Sequence, residues 1–153
     1  ESHFNALLRV ERGGTTCFDL VALKSWLFTV VKDRLAPSVA GVGYLGHGKH
    51  IANSATKNKN RNAYPIWNGM LRRCYEEHNS DYKYYGGKGV YVCDDWLNYQ
   101  NFADWYYENI PDGSEKYHLD KDKSYKGIGP KYYSPETCQF LTPEENMNLR
   151  RSY

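Results

Sequence analysis

The sequence has 153 residues, 41% hydrophobic and 25% charged, with a formal net charge of +2; this excludes a disordered chain and leaves little room for two full-sized cores. No apolar run approaches the roughly 18–20 residues that cross a bilayer, so no membrane partner is expected, and four cysteines without close spacing read as buried free thiols in a reducing, intracellular setting. The modest net charge hides segregation: Arg34 to Tyr75 carries no acid, whereas Glu76 to Asp122 is rich in them, a layout that suits a polyanion site built around carboxylates.

In chain order, residues 1–40 read as a small β-rich segment. Apolar runs from Phe4 to Val10 and from Phe18 to Val31 flank a Gly13-Gly14 turn, with helix left open for Leu20–Val31. Residues 41–62 read as a basic Gly/Asn-rich linker: glycine is too dense in Gly41-Val42-Gly43-Tyr44-Leu45-Gly46-His47-Gly48 for a helix, and Asn53–Asn62 is polar and basic. Near Pro65 a helix is expected, since Ile66, Trp67, Met70, Leu71, Cys74 and Tyr75 share one face. A turn at Tyr84–Gly89 and a short strand at Val90–Cys93 come next. A second helix, capped by Asn98 or Asp95, aligns Tyr99, Phe102, Ala103 and Tyr106.

The last forty residues spell strand, loop, strand and capped helix. Tyr117–Asp120 and Cys138–Leu141 alternate like strands, and Thr142-Pro143-Glu144-Glu145 is a capping box with Thr142 as N-cap. Strand parity aims His118 and Asp120 the same way, towards the start of a helix carrying Asn146. Such an oxygen-rich set beside an imidazole suits one hard divalent ion; the alternative is that His118 packs across strands and the acids are solvated. Cys17, Cys74, Cys93 and Cys138 lack zinc-knuckle spacing, so no structural zinc is expected.

From Tyr64 onwards the chain resembles the HNH-type endonucleases of phages and mobile elements. The resemblance rests on Trp67, Met70 and Arg73-Cys74-Tyr75, on Tyr85-Gly86-Gly87-Lys88-Gly89-Val90, and on Phe102-Ala103-Asp104-Trp105. It continues through His118-Leu119-Asp120-Lys121-Asp122, Tyr133 to Phe140, and Glu145-Asn146. It implies an α+β fold in which residues 63–153 form a ββα-metal nuclease domain using Mg²⁺ or Mn²⁺ to cut double-stranded DNA, in the manner of homing endonucleases, in the cytoplasm of a bacterial host. Carried over residue by residue, it puts the metal on Asp120 and Asn146 with Asp122 nearby. It also maps the general-base histidine onto Lys121 and the orienting asparagine onto Thr137, and both are departures. An ammonium near pH 7 neither binds a metal nor accepts a proton, so Lys121 is expected to neutralise a phosphate while His118 serves as base. Lys57, Lys59, Arg61, Arg72, Arg73, Lys88, Arg150 and Arg151 are the expected phosphate contacts. Two rivals stand beside the nuclease: an inactive binding module of the same fold, and a protein-binding module using tyrosine-rich patches at Tyr82–Tyr91 and Trp105–Tyr107.

Overall fold

The computed structural model describes residues 33–52, 61–113, 115–123, 127 and 129–151. The chain divides into two units, Glu1–Asp33 and Arg34–Tyr153, and the described helices and strands belong to the second. The expected strands before residue 33, Cys17, Lys57 and Lys59 lie outside the described residues.

The second unit is α+β. Its first described helix, α1 (Ala63–Tyr75), starts two residues before Pro65, where the Asn62 side chain accepts a hydrogen bond from the Tyr64 amide at 3.1 Å and so satisfies one of the otherwise unpaired amides of the first turn. Ala63, Trp67, Met70, Leu71 and Cys74 are buried, the face set by the helical period. Single-turn 3₁₀ segments at Tyr82–Tyr84 and Gly86–Lys88 lead to β1 (Tyr91–Val92), and a 3₁₀ turn at Asp94–Leu97 leads to α2 (Tyr99–Asn109). Asn98 is the α2 cap, accepting from the Gln100 amide at 3.0 Å. The two helices enclose an aromatic core in which Trp67 packs against Tyr99 and Trp96 packs edge-on against Phe102, with ring centroids 5.3 and 5.1 Å apart.

Short strands complete the described part of the unit before its last helix: β2 (His118–Asp120), β3 (Tyr132–Tyr133) and β4 (Gln139–Leu141). β2 pairs antiparallel with β4, and β3 pairs parallel with β1. The helix α3 (Pro143–Arg151) follows β4 after a single intervening residue, Thr142. Leu119 and Phe140 are partners across β2–β4 and turn to the core, where Phe140 stacks on Trp105 at 5.4 Å. Alternation then puts His118 and Asp120 on the opposite face.

Two findings depart from the sequence reading. β3 lies inside what reads as a polar loop, because a two-residue strand has no period and its partner is some forty residues upstream. The glycine-rich stretch 41–48 behaves as a strap on the core rather than a spacer. Gln100, 5% exposed at the start of α2, donates to the Leu45 and His50 carbonyls at 3.0 Å and accepts from the His50 amide at 2.9 Å. Gly43 lies so close to Leu71 and Trp67 that any Cβ would enter their side chains, which is why this stretch lacks bulk. At the far end of the strap, Asp104 meets Lys49 at 2.8 Å and His50 at 2.9 Å, and these two groups hold its carboxyl below the ordinary range.

Among the described residues no helix is long and apolar enough to cross a membrane. Cys74, Cys93 and Cys138 are free thiols. Burial pushes Cys74 up to about 11 and Cys138 up to about 12, so neither is a thiolate nucleophile at neutral pH.

Candidate nucleic-acid site

The β2–β4–α3 unit forms one side of a cleft of about 380 Å³, which the tyrosine-bearing turn before β1 faces from the other side. Asp120, Lys121 and Asn146 all line it. Asp120 leaves the end of β2 opposite Gln139, and its Oδ2 accepts from Gln139 Nε2 at 3.3 Å and from the Asp122 amide at 3.2 Å. Those two donors fix the orientation of the carboxylate. On the same strand face, His118 Nδ1 lies 3.1 Å from the Asn146 amide group, so strand parity and the helix position meet as the sequence implies.

The capping box explains why Asn146 arrives there. Thr142 N–H donates to Glu145 Oε2 at 2.8 Å and Glu145 N–H donates to Thr142 Oγ1 at 3.3 Å, so α3 begins at a fixed residue and Asn146 falls one turn later on the strand side. Thr142→Ala is expected to cost about 1 kcal/mol, concentrated in α3. Hydrogen exchange should show faster exchange of the α3 amides with α1 and α2 unchanged; equal acceleration in α3, α1 and α2 would contradict a local role for the cap.

Several expected site residues sit otherwise than the sequence implies. Asp122 is committed to cations, with Lys131 at 2.8 Å and Lys121 at 3.4 Å, which makes it a brace for the loop rather than a free metal ligand. Thr137, at the position of the orienting asparagine, is 9% exposed. Its hydroxyl donates to the Tyr132 carbonyl at 2.7 Å and accepts from the Ser134 amide at 3.0 Å, so it is used up in closing the Ser134–Thr137 turn. The neighbour of His118 is Asn146 instead. Lys121 is only 13% exposed at its side chain, its Nζ 5.2 Å from the Tyr85 ring centre and 5.9 Å from that of Tyr133.

The basic residues divide as well. Arg73 turns inward: its guanidinium lies 5.1 Å from the Tyr85 ring centre, while its buried Nε has no hydrogen-bond partner among the described residues. Arg61 is held on the Pro111 carbonyl at 3.0 Å and on Asp112 at 3.5 Å, so it ties the start of α1 to the turn after α2. Arg72 is exposed and paired with Glu76 at 2.6 Å, one turn along the helix. Lys88 is exposed on its 3₁₀ turn, and Arg150 and Arg151 are in the last turn of α3. Of the tyrosine-rich patches, Trp105 is a packing residue, stacked on Phe140 and 4.7 Å from Trp96.

The donor set can be tested against a divalent ion. Asp120 brings a carboxylate already oriented by Gln139, and Asn146 brings an amide oxygen to the same cleft. Two hard oxygen donors with room for water suit Mg²⁺, which keeps several waters and takes few protein ligands. The fit is to Asp120 and Asn146, without Asp122.

Comparison of the chain with protein families, with curated proteins and with solved structures finds no match.

Proposed function

We propose that this chain is a divalent-ion-dependent DNA endonuclease of the ββα-metal kind, hydrolysing a phosphodiester in the cleft beside β2. The observation that supports the reading is the antiparallel β2–β4 pair with a capped helix beside it, bringing His118 to Asn146 and setting Asp120 in the cleft that Asn146 lines. An intracellular setting, the cytoplasm of a bacterial host, goes with that function.

Asp120 and Asn146 would hold the ion, Mg²⁺ or Mn²⁺, which would supply charge neutralisation at the phosphate and a lower pKa for water. His118 is the general base. The Asn146 atom nearest His118 Nδ1 is Nδ2, at 3.1 Å; base work needs the proton on Nδ1 and the lone pair on Nε2, and a half-turn of the amide provides this by presenting Oδ1 to Nδ1–H, with that oxygen's second lone pair left for the ion. Asn146 thereby takes over the orienting task that Thr137 cannot perform. Lys121, fixed over Tyr85 and Tyr133, meets the charge on the phosphate. His118→Ala is expected to lower the cleavage rate by about 10²–10⁴-fold, with DNA affinity unchanged. A plasmid-nicking assay with Mg²⁺ decides it; wild-type rates in this variant would remove His118 from the chemistry. The placement of Lys121 where the base is expected favours a second reading, an inactive DNA-binding module, for which the same assay gives no cleavage by the wild type.

DNA affinity is expected to be largely electrostatic. With five to eight phosphate contacts, log K should fall against log salt with a slope of roughly −5 to −7. Arg72→Ala should flatten that slope by about one unit. Arg73→Ala should leave the slope unchanged and cost about 1–2 kcal/mol of stability, since its cation packs against a ring instead of facing solvent. Titrations at several salt concentrations and thermal melts of both variants separate the two roles; a slope change in Arg73→Ala would mean that it faces DNA after all.

A further inference from the structure

Tyr84, on the tyrosine side of the cleft, has no part in the proposed hydrolysis. We infer that it provides a stacking subsite for one unpaired nucleotide, so that the site takes DNA that is single-stranded or locally opened in preference to an intact duplex; this rests on the reading of the chain as a DNA nuclease.

The cleft has two chemically different sides. Asp120 and Asn146 lie on the β2–β4–α3 side, with the apolar Leu119 and Leu149 beside them, and Tyr84 and Tyr85 come from the turn before β1. Tyr84 is 58% exposed and, with Tyr91, one of the two exposed tyrosine rings among the described residues; Lys83 covers one side of it, and its exposed surface is available to a ligand from outside. A base has a π-face that stacks on such a ring whatever its sequence. Charge complements the same occupant. Lys83 Nζ lies 4.9 Å from the Tyr84 ring centre, Lys121 Nζ lies 5.2 Å from that of Tyr85, and Lys123 also lines the cleft. The carboxylates lining the cleft are Asp120, the proposed ligand, and Asp122, which Lys121 and Lys131 already neutralise. The balance left over is positive, as a phosphate-bearing ligand requires.

Asp120 and the tyrosines line the same cleft, so a phosphate beside Asp120 can keep its own sugar and base beside the rings. A duplex must first unstack and unpair that base, which a single strand need not do.

The test uses the full chain in EDTA, so that binding is read without hydrolysis, and an oligonucleotide carrying 2-aminopurine, single-stranded or annealed to its complement. Stacking is expected to quench the single-stranded probe at least about twofold, with tighter binding than to the duplex. Tyr84→Ala should weaken single-strand binding by about 5- to 150-fold and leave duplex binding unchanged, while Tyr84→Phe, which keeps the ring, binds as wild type. Tyr91→Ala is the control, because Tyr91 stacks on Tyr132 and does not line the cleft. Equal binding by Tyr84→Ala and wild type, or an unquenched wild-type complex, overturns the subsite. Adding Mg²⁺ separates the two proposals. Quenching without cleavage supports the subsite and sinks the nuclease reading, whereas cleavage by a wild type that never quenches the probe does the reverse.

Discussion

Asp120→Ala is expected to lower Mg²⁺-dependent cleavage by about 10³-fold or more, the loss incurred when several kcal/mol of charge stabilisation leave the transition state. Among the residues lining the cleft, Asp120 is the carboxylate that is oriented without being paired to a lysine. Gln139 and the Asp122 amide hold one of its oxygens, while Asp122 itself is bound by Lys131. The companion variant Asp122→Asn should therefore keep most of its activity and lose some order in the loop after β2. Rates measured under single-turnover conditions, with and without EDTA, test both. Cleavage that survives EDTA and Asp120→Ala together would put the chemistry elsewhere in the chain.

The largest effect on stability is expected at Trp67. Its side chain is fully buried, lies under Gly43 of the strap, and donates from Nε1 to the Trp96 carbonyl at 2.6 Å. Trp67→Ala removes that packing and leaves a cavity, at a cost of about 3–5 kcal/mol, a large share of the roughly 5–15 kcal/mol that holds a typical domain folded. Trp67→Phe should cost less, about 1–3 kcal/mol, chiefly through the buried Trp96 carbonyl left without its donor. Melting curves by circular dichroism give both numbers. A loss below about 1 kcal/mol in Trp67→Ala would mean that the strap and α1 do not form one core.

The helices and strand β2 were legible because their information is local. Trp67, Met70, Leu71 and Cys74 repeat at the helical period, Asn98 stands where a cap must stand, and Thr142 with Glu145 spells its own bonds. What the sequence concealed is long-range. Nothing near Tyr132 announces that it joins Tyr91, since a two-residue strand has no alternation to read. Gln100 looks like an ordinary polar residue at the start of a helix, yet it is the buried clasp of a strap fifty residues away. Arg73 sits beside a buried face, and only the arrival of Tyr85 decides that it turns inward. The candidate site divides the same way. Parity aligned His118 with Asp120, but the neutralisation of Asp122 depends on Lys131 closing a loop, and the burial of Thr137 depends on a turn that its own hydroxyl completes.

The clasp at Gln100 bears on how quickly the molecule assembles. Its bonds to Leu45 and His50 join groups 55 and 50 residues apart, and the His118–Asn146 contact spans 28. Each is a closure whose entropy is lost before the contact returns anything. A chain whose decisive contacts are this distant folds slowly for its size. The helices α1 and α2 can form early on local information, with the strap still unattached and Trp67 still exposed on one side. Refolding monitored at Trp67 should therefore lag behind the recovery of helical signal, and shortening the route between residues 52 and 61 should speed the slower phase.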